Sequence, residues 1–275
     1  MIRLRRLFLA PSWSVAITLI LAPLAVVLAY SLLTRGVYGG VILPFTGENY
    51  SRLWDSLYLR ILGRSFWIAG ASTVFCLLLG FPLALFLARS PRKNLYLSLV
   101  MLPFWTSFLV RTYAWMFLLR DTGLINSVLQ NIGWIRDPLP LLYNDGAVIV
   151  GLVYAYLPFM VLPLYATLER LDPNLIEAAA DLGARPAATL ARVIVPLSAP
   201  GIRAGIVLVF IPCLGAFLTP DLLGGGKSVM IGNLIQNQFT TARDWPFGSA
   251  LSLVLMALVM LLLWLFTRRD SAGLL

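Results

Sequence analysis

Residues 169–186 read Glu169-Arg170-Leu171-Asp172-Pro173-Asn174-Leu175-Ile176-Glu177-Ala178-Ala179-Ala180-Asp181-Leu182-Gly183-Ala184-Arg185-Pro186, and the segment runs on to Pro196. Asp172 is a good helix N-cap, and Pro173 suits the first helical position, where its missing N–H would have had no partner. The alanine-rich run that follows is strongly helical, and Gly183 fits the left-handed residue that ends such a helix. Pro186 suits the start of a second short helix, which must stop near Pro196. The spacing therefore predicts two short helices joined by a sharp glycine turn. Taken alone, this is a structured loop, and an amphipathic surface helix is its plainest reading.

The chain around that loop is poor in charge: of 275 residues, 60% are hydrophobic and 12% charged. A soluble domain carries about a quarter charged residues, and a globule of this length still exposes much of its surface. The solvent must be largely lipid. Six stretches approach the roughly 20 apolar residues that a span needs: about 13–33, 63–88, 95–119, 147–168, 201–222 and 247–267. The expected fold class is all-α: an integral membrane protein of about six transmembrane helices, one transmembrane domain over 1–275, with 169–200 joining the fourth and fifth spans. The apolar run from Trp13 to Leu33 reads as a retained helix. It is about twice as long as a signal-peptide core, and no small-residue cleavage site closes it.

Basic residues set the orientation. Arg3, Arg5, Arg6, Arg89, Arg92, Lys93, Arg170, Arg185, Arg192, Arg203, Arg268 and Arg269 fall on one face, tight against helix ends. The positive-inside rule makes that face cytoplasmic, together with both termini and the 169–200 loop. The net charge of +9 then serves contact with membrane lipid. It is not a nucleic-acid footprint, because the cations form no single patch.

Several chemistries are excluded. The chain has no His, which removes imidazole catalysis and His-ligated metals. Cys76 and Cys213 lie inside apolar runs and read as small core residues. Asp221-Leu222-Leu223-Gly224-Gly225-Gly226-Lys227-Ser228 imitates a phosphate-binding loop, but Asp221 stands where the pattern needs Gly and no strand precedes it. It reads as a glycine turn on the outer side. No catalytic residue, metal or bound cofactor is assigned. Pro23, Pro82, Pro103, Pro158, Pro163 and Pro212 fall inside spans and kink them, as is common in channels and transporters.

Glu177-Ala178-Ala179, three residues, Gly183, nine residues, then Val193-Ile194-Val195-Pro196 resembles the EAA motif of ABC importer permeases. Val193 and Val195 replace the Ile and Leu of that pattern. Three further groups look like permeases of spermidine/putrescine importers, nearest to the B-type subunit. They are Leu102-Pro103-Phe104-Trp105-Thr106-Ser107 with Arg111-Thr112-Tyr113-Ala114-Trp115 and Gly123-Leu124-Ile125-Asn126; Gly151-Leu152-Val153-Tyr154 through Leu157-Pro158-Phe159-Met160; and Asp221-Leu222-Leu223-Gly224-Gly225 with Lys227. Arg243-Asp244-Trp245-Pro246-Phe247-Gly248 completes the set.

The resemblance implies a type I importer permease fold in the bacterial inner membrane, forming half of a translocation pathway for polyamines. It implies a second, C-type permease, two ATPase subunits that hold ATP and Mg, and a periplasmic polyamine-binding protein. Glu177, Ala178, Ala179, Asp181, Gly183, Arg185 and Pro196 would form the coupling helix and turn that dock on the ATPase. Trp105, Arg111, Tyr113, Tyr154 and Asp221 are the candidate pathway residues.

The chain's own chemistry supports a polycation only in part. The aromatics offer cation–π faces, but an interfacial belt or helix packing explains each of them as well. No carboxylate falls within a span, and Asp221 at the outer end of the fifth is the nearest. Arg111, inside the third span, must face the interior or snorkel. It is expected to pair with a carboxylate of this or a neighbouring chain, or to cap the pathway as a gate. Other readings are a permease for another small amine or organic solute, and an ion-coupled secondary transporter. The second would need acids within its spans. A membrane enzyme lacks its acid–base or metal groups.

Overall fold

The structure, a computed structural model, describes residues 2–271. The side chains of Arg3, Arg5, Arg6 and Arg269, used above for orientation, lie outside the described residues. In chain order the elements are α1 (Ile2–Ser31), β1 (Leu33–Arg35), β2 (Val41–Phe45), α2 (Glu48–Arg52), α3 (Ser56–Arg89) and α4 (Lys93–Met101). A 3-10 turn (Leu102–Trp105) leads to α5 (Phe108–Leu119), α6 (Leu124–Asn131), α7 (Asp145–Leu168), α8 (Asn174–Asp181) and α9 (Pro186–Thr189). A π-helical turn (Leu190–Ile194) precedes α10 (Val195–Leu197), α11 (Ala199–Leu214), α12 (Leu218–Gly224), α13 (Ile231–Thr240) and α14 (Trp245–Ser271). The fold is helical, as the composition requires. Among the described residues the one departure is the antiparallel pair β1–β2, which matches Leu33 with Phe45 and Arg35 with Val41 around a bulge.

Among the described residues, three helices are long and apolar enough to cross a membrane: Ser56–Arg89, Asp145–Leu168 and Trp245–Phe266. Two bent pairs would raise the number to five if each is one span, and the apolar helix Ile17–Ser31 is shorter. The first bent pair, Lys93–Trp105 with Phe108–Asn131, turns by 89° inside what reads in sequence as one continuous run, 95–119. Pro103 is the reason. It has no N–H to continue α4, the chain tightens into the 3-10 turn, and Thr106 is extended with ψ 152°. The Thr106 hydroxyl then donates to the Pro103 carbonyl over 2.7 Å. The second pair, Pro186–Leu197 with Ala199–Leu214, turns by 68°. The run expected over 201–222 ends at Leu214, and α12 follows as a separate helix.

The described residues form two compact units, one made of the chain up to Arg60 and from Leu234 on, the other of Ile61–Asn233. In the first, α1 packs along α14, and the rings of Tyr30 and Trp245 stack 6.2 Å apart. Buried Asn49 donates to the carbonyls of Ser31 and Leu33 at 2.9 Å each, tying α2 to the end of α1. Asp244, almost fully buried, caps α14 by accepting from the Phe247 N–H over 3.2 Å. Its other oxygen accepts from Arg52 at 3.0 Å, whose guanidinium lies 4.0 Å over the Phe247 ring.

The second unit is organised on α7, against which α11 packs most extensively. Val148, Leu152, Met160, Val161 and Leu164 of α7 bury against Val209, Cys213 and Leu214 of α11 and Ile68, Ala69, Cys76, Ala84 and Leu87 of α3. With Ser65, Ser72, Thr73 and Gly80, the buried α3 positions recur at three- and four-residue steps, one stripe of a helix. Gly201 and Gly205 make the close approach of α11 to α7 possible. A methyl group on Gly201 would stand 2.6 Å from the Thr167 hydroxyl and 2.8 Å from the Pro163 carbonyl. A small residue every fourth position is how helices approach in lipid, where only packing and hydrogen bonds favour association. Cys76 and Cys213 are free and buried, as expected of core residues.

Candidate functional site

The 169–200 loop folds as its residues dictate. The Asp172 carboxylate accepts from the Asn174 N–H at 3.0 Å, opening α8. Gly183 adopts φ +78°, the left-handed turn, and its N–H closes the helix on the Ala180 carbonyl at 2.8 Å. Arg185 is extended, and its carbonyl accepts from Ala188 and Thr189 at 2.8 and 3.0 Å as α9 begins at Pro186. The second helix continues through the π-helical turn and ends at Leu197, next to Pro196. Insertions of this kind loosen a helix and are often found at functional positions.

α8 is two-faced. Ile176 and Ala179 turn inward, whereas Leu175, Glu177, Ala178 and Asp181 are exposed, and Leu182 beyond the helix is 89% exposed. Leu171, Pro173, Ile176 and Ile194 meet Leu85, Arg89 and Leu168 around a cavity of about 330 Å³. The inner face of the loop therefore rests on the ends of α3 and α7. Beside it Lys93 donates to Glu169 at 2.6 Å, fixing the start of α4 to the end of α7. The hydrogen bond from the Lys93 ammonium holds the Glu169 carboxyl below its ordinary range, and the carboxylate raises the Lys93 value in turn.

The five candidate pathway residues are not gathered into one pocket. Tyr154 meets Trp115 edge-on with ring centres 5.6 Å apart. The two line an apolar cavity of about 370 Å³ with Phe75, Leu79 and Val153, and of the five only Tyr154 reaches it. Trp105 is 88% exposed at the break after α4, and Tyr113 is exposed on α5. Asp221, in the first turn of α12, accepts from the Asn233 side-chain amide at 2.9 Å. Arg111 pairs with no carboxylate of this chain among the described residues. Its guanidinium carbon instead lies 5.1 Å from the Phe104 ring centre and 5.8 Å from that of Phe108. Within this chain, aromatic faces and not a carboxylate are what the described residues bring to Arg111, which leaves a carboxylate of a neighbouring chain or a gating role open.

Sequence reasoning missed a polar cluster at the start of α7. Arg64 of α3 donates to Asp145 through Nη2 at 2.6 Å and Nε at 3.1 Å. Buried Ser228 donates to the same carboxylate at 2.6 Å. Asn144 caps α7 by accepting from the Ala147 N–H at 2.9 Å. The Asn144-Asp145 pair before an apolar run was the available signal. Ser228 is the last residue of the false phosphate-binding motif, and its hydroxyl serves this cluster. The three glycines before it make a turn, Gly225 and Gly226 at φ +55° and +76°.

Proline-broken apolar helices with a structured loop resting on the ends of two of them are the architecture of a membrane transport subunit. Residues 76–270 match the family described as the binding-protein-dependent transport system inner membrane component. The chain belongs to that family. It is an inner-membrane permease subunit, and ATP hydrolysis falls to a partner. Among relatives, the spermidine/putrescine transport system permease protein PotB of Haemophilus influenzae is 42% identical over 271 residues, 98% of this chain and 95% of that one. PotB of Escherichia coli K12 is 45% identical over 251 residues, 90% and 91% of the two chains. Among solved structures, a bacterial ABC transporter for import of the acidic polysaccharide alginate matches with TM-score 0.76 at 16% identity, over 98% of this chain and 95% of that one. The same kind of transporter in complex with a pentasaccharide-bound periplasmic protein matches with TM-score 0.78 at 17% identity, covering 97% and 93%.

Proposed function

We propose that this chain forms half of the translocation pathway of an ATP-driven polyamine importer, carrying spermidine or putrescine. The observation that supports this best is the 42–45% identity, over nine-tenths or more of the chain, to permeases named for those substrates. In this reading the chain crosses the membrane six times. α1 supplies the first span, the two bent pairs supply the third and fifth, and both termini are cytoplasmic. A second, C-type permease completes the pathway. Two ATPase subunits hold ATP and Mg, and a periplasmic binding protein delivers the polyamine.

The 169–200 loop is the mechanical link. The outward face of α8, with Glu177, Ala178 and Asp181, docks in a cleft of the ATPase, and the small alanines allow close approach. Gly183, Arg185 and Pro196 set the angle between the two short helices. Because the inner face rests on the ends of α3 and α7, a push on the loop reaches those helices directly. Trp105, Tyr113, Tyr154 and Asp221 line the route with aromatic faces and one carboxylate, and the binding protein supplies most of the selectivity. Uptake of labelled spermidine in cells tests the energy source. Import that survives collapse of the proton gradient but stops on ATP depletion supports the reading, and the reverse pattern makes the chain an ion-coupled carrier.

A further inference from the structure

Arg111 carries a charge that no carboxylate among the described residues answers. It lies in the first turn of α5, and Lys93 and Arg120 are the nearest charged residues along the sequence on either side. Its Nε and Nη1 are shut off from solvent without a hydrogen-bond partner. The described ion pairs engage Arg52, Arg64 and Lys93 instead. A cation in the first turn also faces the positive end of the helix dipole. A guanidinium so placed among apolar helices demands an anion. Lys93 and Arg120 stand at the two ends of the apolar run, where headgroup phosphates lie. Arg111 stands between them, with the rings of Phe104 and Phe108 within cation–π reach of its guanidinium.

We propose that Arg111 is the resident counter-ion of a carboxylate on the second permease subunit, and that the ammonium groups of the substrate displace it. The inference rests on the reading of this chain as half of a polycation pathway. Such a route needs carboxylates in its apolar interior, and the twelve acidic residues here fall at helix ends and in loops, so the partner must carry them. When the route is empty, that carboxylate would stand unpaired. A tethered guanidinium satisfies both groups at once. It has a second resting place when a substrate arrives, because the rings of Phe104 and Phe108 hold a displaced cation. The isolated chain displays that ring-held position.

The test uses the full complex of both permeases and the ATPases in nanodiscs, with Arg111→Lys. A carbodiimide joins the introduced amine to any carboxylate in contact, and mass spectrometry identifies the product. The expected product links this chain to an Asp or Glu of the second permease, and saturating spermidine lowers its yield by about fivefold or more, whereas ethanolamine at the same primary-amine concentration does not. An assembled complex that gives no such product, or one indifferent to spermidine, overturns the proposal. In parallel, in proteoliposomes supplied with ATP and loaded binding protein, Arg111→Met lowers uptake about tenfold at unchanged complex yield, while Arg111→Lys keeps about a third of it. Wild-type uptake that falls as far as that of Arg111→Met when anionic lipids are replaced by phosphatidylcholine assigns the counter-ion to lipid and also overturns it. A wild-type complex that carries no polyamine fails the reading under it. Normal uptake without the cross-link fails this inference alone.

Discussion

Gly205 of α11 lies so close to Met160 of α7 that a methyl group on it would stand 2.5 Å from the Met160 sulfur. With Gly201 one turn earlier, it leaves room for the Met160 and Thr167 side chains between two closely approaching helices, and this contact is the most extensive in the Ile61–Asn233 unit. Overpacking a tight contact costs about 1–3 kcal/mol. Gly205→Ala is expected near the lower end, where Met160 can swing aside, and Gly205→Leu at or above the upper. Thermal unfolding of the purified protein in detergent, followed by exposure of its buried cysteines, reads the difference.

The Arg64–Asp145–Ser228 cluster predicts a coupling energy. Arg64 and Asp145 are each more than a third exposed, so their pairing alone is worth about 0.5–1 kcal/mol. Asp145→Ala also strands the buried Ser228 hydroxyl, which adds about 1 kcal/mol. A double-mutant cycle with Arg64→Met separates the two, since only the ion-pair part disappears when Arg64 is already absent.

Much of this architecture is legible in the sequence, and the reasons are local. The loop from Asp172 to Pro196 could be read residue by residue because its cap, alanine run, positive-φ glycine and second proline all act over a few residues. The breaks were less accessible. Hydropathy is blind to direction, so 95–119 looks like one span although Pro103 and the extended Thr106 turn it through 89°. The β1–β2 pair is too short and too embedded in apolar sequence to announce itself. Arg64–Asp145 and Lys93–Glu169 join residues far apart in the chain, and no periodicity links them. Arg111 was legible as an anomaly, but its ring-held position depends on the bend that places Phe104 beside it.

The Lys93–Glu169 pair predicts a pH window. Glu169 is held below its ordinary 4.5, so its stabilising effect is present above that value and lost as pH falls through the lowered one. Lys93 is raised above its ordinary 10.5, so its share is present below that value and lost only as pH rises through the raised one. The stability difference between wild type and Glu169→Gln should therefore be flat between these limits. It should shrink below the ordinary carboxylate range, in unfolding curves measured across pH.

Glu177→Lys and Gly183→Val should each abolish uptake while leaving membrane insertion and expression intact. The first inverts a charge on the exposed face of α8. The second forces a branched side chain into a left-handed turn, which costs about 1–2 kcal/mol and re-aims the helix. Retained uptake by either variant would remove the loop from the coupling path. A loss of ATPase co-purification with Glu177→Lys would place the defect at the interface.

Conduction of polyamines by this chain under the power of a partner ATPase can be observed outside the cell. The most direct measurement is uptake of labelled spermidine into proteoliposomes holding both permeases and the ATPase, with the loaded binding protein on the side it approaches from and ATP on the ATPase side. Accumulation that requires ATP and binding protein together, and that is absent with Glu177→Lys, is the expected result. Accumulation without ATP, or ATP hydrolysis stimulated by the loaded binding protein with no spermidine crossing, would contradict it.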